Sequence, residues 1–222
     1  METANQAIID FIRSIQPPEN GALGYLQQQA LYEQVPIIPP EVARLLHVLL
    51  ALKPPKRILE IGCAVGFSAA LMCQHLEENG HIDTIDRYDI MIEAAEANFD
   101  RLGLRDKVTL WKGDAAEILP GLPSPYDVIF LDAGKGQYLP WLSMCLQKLA
   151  VGGLLIADDV LQGGRVALDR FAVPRRQRTT HARMRKFLHA LAHTPGLTAC
   201  ILPLGDGVAL AVKTGEVPGT NA

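Results

Sequence analysis

Three acidic residues follow two apolar runs in the second half of the chain, and a lysine lies close to the first acid. Asp132 comes directly after one run, and Asp158 and Asp159 come directly after the next. Because neighbouring strands of a parallel sheet lie about 5 Å apart, carboxylates at two adjacent strand ends would repel each other unless a cation lay among them. Oxygen ligands suit a hard cation such as Mg²⁺ or Mn²⁺. The pattern predicts a metal site with Lys135 beside it.

A glycine-containing turn follows an apolar run in the first half of the chain. The run ends with Glu60, the turn contains Gly62 and Gly66, and Ser68 lies in the first turn of the next helical pattern. Glycines let the backbone approach a ligand closely, and a helix N-terminus attracts a carboxylate. The spacing is neither a dinucleotide fingerprint nor a phosphate-binding loop. As an isolated pattern the motif is weak, because glycine-containing turns commonly follow strands for structural reasons alone.

Two further acids follow the next two apolar runs. Asp86 lies about twenty residues beyond the glycine turn, where a carboxylate can accept both hydroxyls of a ribose. Its alternative role is a solvated charge or a helix cap. Asp114 could accept a hydrogen bond from an adenine amino group, with the backbone N–H of Ala115 meeting a ring nitrogen. It could equally cap a short helix, and the two roles are compatible.

Short apolar runs alternate with helical patterns, and this alternation must position these side chains. The runs are typical of buried strands and lie at 57–61, 81–86, 107–111, 126–131 and 153–157. The helical patterns between them cover 67–78, 88–102, 114–119 and 137–149. Two last strands, 198–202 and 207–213, flank an Asp-Gly turn that favours a hairpin. We expect an α/β fold: a Rossmann-like seven-stranded, mostly parallel sheet with helices on both faces and a C-terminal antiparallel hairpin.

The remaining segments complete the predicted organisation as one domain over residues 1–222. Helices are predicted at 3–15, 21–33, from Pro40 or Glu41 to about Leu52, and at about 179–193. A loop rich in Gly and Arg covers 160–178. We expect an N-terminal helical extension (1–35), the Rossmann-like fold (36–213) and a flexible tail (214–222).

The composition is that of an ordinary globular protein. Of 222 residues, 49% are apolar and 20% are charged, so the chain can bury a hydrophobic core without disulfide bonds or structural metal ions. The N-terminus is acidic and amphipathic, and no run of about 18 apolar residues occurs, so we expect neither a signal peptide nor a membrane partner. Scattered cysteines without metal-ligand spacing predict reduced core thiols and a cytoplasmic protein. They are Cys63, Cys73, Cys145 and Cys200.

Positive charge is concentrated in the segment 165–186, here called the basic segment. It carries eight Arg or Lys residues against one acid, whereas the whole chain has a net charge of −3. Such asymmetry indicates a polyanionic partner bound at one place. The alternative is a solvated helix face or a contact with acids of another subunit.

The motifs, taken in order, resemble a known family. ILEIGCAVGFS, TIDR, GDA, FLDAGKGQY and ADDVLQGG are similar to the motifs of metal-dependent O-methyltransferases of the catechol and caffeoyl-CoA type, over roughly residues 35–213. The resemblance implies catalytic roles for Asp132 and Lys135, the latter in substrate deprotonation, and a metal held by Asp132, Asp158 and Asp159. It implies S-adenosylmethionine contacts at Ile37, Glu60, Gly62, Ser68, Asp86, Asp114, Ala115 and Asp132.

Three positions depart from that family pattern. Asp159 replaces the more common Asn and adds a negative charge. Asp86 is shorter than the Glu of catechol enzymes. Gly134 stands where those enzymes have a tryptophan near the adenine, so that stacking contact is not expected.

A closer resemblance links the chain to bacterial tRNA 5-hydroxyuridine methyltransferases. It is carried by VPII, KGQY, FAVPRRQRT and LPLGDGV. It implies a tRNA partner contacted by Arg175, Arg176 and Arg178, whose charges suit phosphates. A small catechol-like phenol is the alternative acceptor. A non-catalytic S-adenosylmethionine-binding protein is disfavoured because every metal and base position is filled. The apolar N-terminal helices and the family resemblance suggest a homodimer.

Overall fold

A computed structural model describes residues 6–217 as alternating helices and strands. The α-helices in this range are α1 (Gln6–Ile15), α2 (Gly21–Tyr32), α3 (Pro40–Leu52), α4 (Phe67–Cys73), α5 (Asp89–Leu102), α6 (Ala115–Ile118), α7 (Tyr138–Lys148) and α8 (Arg178–His193). The strands are β1 (Arg57–Ile61), β2 (His81–Asp86), β3 (Val108–Lys112), β4 (Tyr126–Leu131), β5 (Leu149–Ala157), β6 (Leu197–Leu202) and β7 (Val208–Lys213). The predicted tail ends in residues 218–222, and the predicted first helix begins in residues 1–5; both stretches lie outside the described residues.

The strands form one seven-stranded sheet in the order β3-β2-β1-β4-β5-β7-β6. β1 pairs with β2, β2 with β3 and β4 with β5 in parallel, whereas β7 pairs antiparallel with both β5 and β6. The expected mostly parallel sheet with a C-terminal antiparallel hairpin is therefore confirmed.

Two predicted boundaries were wrong, each for a local reason. β5 begins at Leu149 and not at 153, because Gly152, at φ +81°, and the register shift in its pairing with β4 interrupt the apolar pattern. Helix α4 ends at Cys73 and not at 78. The backbone N–H groups of Gln74 and His75 bond to carbonyls three residues back, which tightens the last turn.

Tertiary contacts divide the described chain into two compact units. The first unit, Ala7–Ile118, contains the three parallel strands β1, β2 and β3. Its core includes the fully buried side chains of Leu46, Ile58, Phe67 and Phe99. The expectation of a single domain stays a prediction.

The second unit begins at Leu119 and also includes Gln6. It contains β4, β5, β7 and β6 with helices α7 and α8. Its largest fully buried side chains are aromatic: Tyr126, Phe130, Tyr138 and Phe187. The rings of Tyr138 and Phe187 meet edge to face at 5.5 Å between centroids, so α7 and α8 are joined by an aromatic contact.

The cysteines are free, as predicted, but they are not all in the core. Cys63, Cys73 and Cys145 are buried, whereas Cys200 is exposed. Cys200 lies on β6, the last strand of the sheet, where one side lacks a neighbouring strand. None of the helices in residues 6–217 combines the length and the apolar character needed to cross a membrane.

Candidate active site

The glycine turn between β1 and α4 has the backbone geometry that requires glycine. Gly62 and Gly66 adopt φ values of +102° and +83°. Gly66 is the N-cap of α4, and a Cβ added there would lie 2.7 Å from the ring of Phe99. A side chain at this position would therefore combine backbone strain with a clash in the core. The predicted turn from a buried strand into a helix is confirmed.

Glu60 is a fully buried carboxylate beneath this turn. Its Oε1 accepts a hydrogen bond from the hydroxyl of Ser68 at 2.6 Å, and its Oε2 accepts one from the hydroxyl of Thr84. Glu60 therefore ties the first turn of α4 to β2. Its predicted contact with S-adenosylmethionine stays a prediction, as does that of Ser68.

Asp86 at the end of β2 accepts four backbone hydrogen bonds. Its Oδ2 receives the N–H groups of Cys63 and Ala64 at 3.0 and 2.9 Å. Its Oδ1 receives those of Arg87 and Tyr88 at 2.7 and 3.0 Å. The carboxylate thus holds the glycine turn against the end of β2, a role that the sequence did not predict. Its predicted binding of ribose hydroxyls stays a prediction.

Three other predicted cofactor residues, Asp114, Ala115 and Ile37, lie in the same unit, whereas Asp132 lies in the second unit. Asp114 caps α6, because its Oδ1 accepts the N–H of Ala116 at 2.9 Å, and its Oδ2 pairs with Arg87 at 3.2 Å. The cap proposed from the sequence is therefore confirmed. Ala115 is buried as the first residue of α6, and Ile37 is half-buried between α2 and α3.

The three acids predicted to hold a metal lie at the ends of β4 and β5 in the second unit. The parallel register places Leu131 beside Ala157, so Asp132 and Asp158 follow adjacent strand ends. The Nζ of Lys135 lies 2.8 Å from Asp132 Oδ1 and 3.0 Å from Asp159 Oδ2. Asp132 and Asp159 therefore converge on Lys135, whereas the metal site predicted for them and Asp158 stays a prediction.

Burial and mutual repulsion determine the protonation of this cluster. Burial, followed by the charges of Asp132 and Asp159, raises the pKa of Asp158 to about 8. Burial lowers the pKa of Lys135, but Tyr138 and the two flanking carboxylates outweigh it and hold the pKa above its ordinary value. The two carboxylate partners of Lys135 therefore favour its ammonium form in this arrangement.

Tyr138 is a site residue to which sequence reasoning gave no role. Its fully buried hydroxyl accepts hydrogen bonds from Lys135 Nζ at 3.2 Å and from the N–H of Ala133 at 3.3 Å. The same hydroxyl lies 3.0 Å from the carbonyl of Leu131 and 3.2 Å from that of Asp158, either of which can take its proton. The signal was the Lys-x-x-Tyr spacing, which brings the ring under the lysine where α7 begins.

The three carboxylates have the chemistry of a hard cation site, but two of them pair with Lys135 in this structure. Three carboxylates supply oxygen ligands, and the charges of Asp132 and Asp159 add to the effect of burial in raising the pKa of Asp158. Within residues 6–217, however, no group of three or more His, Cys, Asp or Glu side chains is arranged so that it could hold a metal ion. The ammonium of Lys135 lies between two of the carboxylates and neutralises them instead.

The loop after β5 is held by the turn of the C-terminal hairpin. The N–H groups of Val160 and Leu161 bond to the carbonyls of Gly207 and Asp206 at 2.9 and 2.8 Å, and the N–H of Gly163 bonds to the Asp206 carboxylate. Asp159 adopts φ +56°, a left-handed conformation uncommon outside glycine. The hairpin therefore fixes the backbone that carries the last acid of the cluster.

The basic segment contains arginines of two kinds. Arg175 and Arg176 are exposed, as expected for phosphate contacts. Arg178 is half-buried, and its guanidinium donates to the carbonyls of Val173 and Phe171 at 3.0 and 3.3 Å. Arg178 therefore uses its guanidinium to hold the loop backbone, and its predicted contact with a tRNA phosphate stays a prediction.

Comparison with known proteins agrees with this arrangement. Residues 22–214 match the family described as O-methyltransferase. A catechol O-methyltransferase of Niastella koreensis is 32% identical over 184 residues, which cover 79% of this chain and 81% of that protein. Caffeoyl-CoA O-methyltransferase 1 of Eucalyptus globulus is 31% identical over 172 residues, covering 74% and 70%. The O-methyltransferase TomG of Streptomyces achromogenes, solved in complex with S-adenosylmethionine, superposes with a TM-score of 0.81 at 27% identity over 94% of this chain and 96% of that one.

Proposed function

The chain belongs to the O-methyltransferase family and uses S-adenosylmethionine, and from that premise we propose that its acceptor is the 5-hydroxyl of 5-hydroxyuridine in tRNA. The product would be 5-methoxyuridine. We further propose that the reaction needs Mg²⁺ or Mn²⁺, held by the carboxylates of Asp132, Asp158 and Asp159.

The first unit supplies the residues for the methyl donor. In this proposal the glycine turn between β1 and α4 receives the methionine part of S-adenosylmethionine, and Asp86 and Asp114 meet the ribose and the adenine. The four amides on the Asp86 carboxylate support this role, because they hold the turn in one conformation before the ligand arrives. Such preorganisation reduces the ordering cost of binding.

The second unit supplies the residues for the acceptor. A bound divalent cation would lower the pKa of the acceptor hydroxyl and compete with Lys135 for its carboxylate partners. Lys135, released from its ion pairs with Asp132 and Asp159, would give its proton to solvent, and its neutral Nζ would then accept the proton of the acceptor hydroxyl. The oxygen electron pair then forms a bond to the methyl carbon as the sulfur–methyl bond breaks, which leaves a neutral thioether. Tyr138 holds Nζ in place throughout.

The chemistry of 5-hydroxyuridine suits such a site. Its 5-hydroxyl and 4-carbonyl oxygens are vicinal, like the two hydroxyls of a catechol. A site that binds paired oxygens can therefore serve either acceptor. The feature that decides between them has to lie outside the carboxylate cluster.

The observation that carries the RNA proposal is the set of unpaired cations in the basic segment. In the part of the chain that the structure describes, four exposed side chains here make neither a hydrogen bond nor an ion pair with protein: Arg170, Arg175, Arg176 and Lys186. A surface contact with acids of the same chain would have paired them. A small phenol carries no phosphates that could pair with these four cations, whereas a nucleic acid supplies a phosphate for each.

A small catechol-like phenol is the second candidate. It is supported by the relatives, one of which is named as a catechol O-methyltransferase and is 32% identical to the chain over 184 residues. The cluster of acids and lysine would serve both acceptors, so it does not discriminate between them.

Transfer of labelled methyl groups to a panel of acceptors tests the proposal. The panel contains tRNA with 5-hydroxyuridine, the same tRNA without the hydroxyl, and catechol. We expect methylation of the hydroxylated tRNA alone at comparable enzyme concentration. Efficient methylation of catechol without methylation of the hydroxylated tRNA would reject the RNA acceptor.

A further inference from the structure

An aromatic ring stands exposed in the middle of the basic segment. Phe171 lies in the short turn Arg170–Ala172 and keeps 79% of its surface exposed. A phenyl ring in water forgoes the free energy that burial would provide. A turn that holds such a ring outward therefore needs an explanation, especially since Val173, two residues later, is buried.

The backbone around Phe171 is fixed by side chains. The carboxylate of Asp169 accepts the N–H of Phe171 at 2.8 Å and caps the turn. The guanidinium of Arg178 donates to the carbonyls of Phe171 and Val173. The exposed position of the ring is therefore the consequence of three hydrogen bonds to its own turn.

Helix α8 holds the preceding residues in the same manner. His181 Nε2 lies 3.2 Å from the carbonyl of Leu168, and Arg185 donates to the carbonyl of Val166 at 3.0 Å. Together with Arg178, side chains of α8 thus bind carbonyls on both sides of the turn. These hydrogen bonds fix the loop that carries the ring of Phe171. The fixed position reduces the ordering cost of any contact that the ring makes.

One cation lies against the ring, and three more lie near it in sequence. The guanidinium of Arg178 lies 5.5 Å from the ring centroid. Arg170, Arg175 and Arg176 are its exposed neighbours in sequence. An exposed aromatic ring among cations that track a phosphate backbone is the arrangement by which proteins bind single-stranded nucleic acid, because every base can stack on the ring whatever its identity.

We propose that Phe171 is a stacking platform for an unpaired nucleobase of the RNA acceptor, with the neighbouring arginines on its phosphates. This inference rests on the proposed RNA substrate. It requires unpaired bases, because the bases of a duplex already stack on each other. The platform thus selects an acceptor uridine that lies in a loop.

The test uses a synthetic RNA stem–loop that carries 5-hydroxyuridine in its loop and 2-aminopurine next to it. Binding should quench 2-aminopurine fluorescence with the wild-type protein and not with Phe171→Ala. We expect Phe171→Ala to weaken binding about 5- to 150-fold, the range for loss of one stacked base. Phe171→Trp should bind at least as tightly as wild type, whereas Phe171→Leu, apolar but without a π face, should resemble Phe171→Ala.

Matched controls separate stacking from other causes. Tyr32→Ala removes another exposed aromatic ring, 89% exposed, and should leave RNA binding unchanged. The salt dependence of binding should be the same for Phe171→Ala and wild type, because no phosphate contact is lost. Unchanged thermal unfolding of Phe171→Ala would show that the loop is intact.

Each contrary outcome has a distinct meaning. Wild-type affinity of Phe171→Ala or Phe171→Leu for the stem–loop, in a protein that methylates hydroxylated tRNA, would overturn the stacking platform alone. A wild-type protein that neither binds nor methylates RNA would overturn the proposed acceptor and the platform together.

Discussion

The hydroxyl of Tyr138 accepts a hydrogen bond from the Nζ of Lys135 at 3.2 Å. Because the same hydroxyl touches the carbonyls of Leu131 and Asp158, it joins the ends of β4 and β5 to the amine. The ring of Tyr138 is fully buried and packs on Phe187 of α8, so the hydroxyl cannot swing away. The Lys135 amine is therefore held in position both by the hydroxyl of the buried Tyr138 and by its carboxylate partners.

Removal of that hydroxyl should slow the reaction more than it weakens binding. Tyr138→Phe deletes the oxygen and leaves Nζ without one of its fixed partners. We expect kcat to fall about 10- to 100-fold, the equivalent of one hydrogen bond to a charged group, with KM for the acceptor changed less than about 3-fold. Steady-state kinetics measure the split, and Tyr32→Phe serves as a control at an exposed ring. A large rise in KM with unchanged kcat would contradict the positioning role.

The sequence predicted features that depend on local pattern. Buried parallel strands are short apolar runs, so β1, β2 and β4 could be bounded to the residue. The convergence of Asp132 with Asp158 followed from the same strands, because adjacent parallel strands end at the same edge of a sheet.

Features that depend on partners distant in sequence could not be predicted. The four amides on Asp86 include two from a turn more than twenty residues earlier, at Cys63 and Ala64. The raised pKa of Lys135 depends on Tyr138 and Asp132, which are near it in sequence, and also on Asp159, which lies beyond the next helix. The sequence alone does not distinguish Arg178 from the exposed cations near it. In the fold, its guanidinium donates to carbonyls of its own loop.

Activity should depend on a divalent cation. We expect methyl transfer to vanish in EDTA and to return with Mg²⁺ or Mn²⁺, because the proposed ligands are oxygens only. Asp159→Asn should stay active, since an amide oxygen can replace a carboxylate oxygen as ligand, whereas Asp159→Ala should lose activity. Methyl-transfer assays in buffers of defined metal content make the comparison. Full activity of the wild-type protein in excess chelator would refute the metal requirement.

Asp86→Ala should weaken the binding of S-adenosylmethionine at least about 10-fold, measured by calorimetry. The change removes the predicted ribose contact and also frees four amides, two of which belong to the glycine turn. The affinity of Asp86→Asn for S-adenosylmethionine should lie between those of the wild type and Asp86→Ala, because its one side-chain oxygen can still accept one pair of the backbone amides. Asp106→Ala, at an exposed acid, is the control. Unchanged affinity in Asp86→Ala would reject the role of this carboxylate in cofactor binding.

Helix α1 leads us to expect a homodimer. Its apolar side chains Ile8, Phe11 and Ile15 recur at helical spacing and remain 54%, 63% and 65% exposed. A second copy would cover this stripe and remove it from water. Light scattering coupled to size exclusion should give twice the chain mass for wild type and the chain mass for Phe11→Glu, while Ser14→Glu on the same helix should behave as wild type. A monomeric wild-type protein at micromolar concentration would contradict this expectation.

The two kinds of arginine in the basic segment should respond differently to substitution. Arg175→Gln combined with Arg176→Gln removes two exposed charges without touching the loop backbone, so thermal unfolding and S-adenosylmethionine binding should stay at wild-type level. Binding of hydroxylated tRNA should weaken, and the slope of log affinity against log salt should fall by about 1.5 to 2, the counterions of two phosphates. Arg178→Gln should instead destabilise the loop, because the carbonyls of Phe171 and Val173 lose their donor, and its effect should include faster proteolysis between 165 and 178. Measurement of tRNA affinity at several salt concentrations, with limited proteolysis beside it, separates the two cases. If the Arg175 and Arg176 double variant binds and methylates hydroxylated tRNA as the wild type does, these charges form only a solvated face and the RNA contact lies elsewhere.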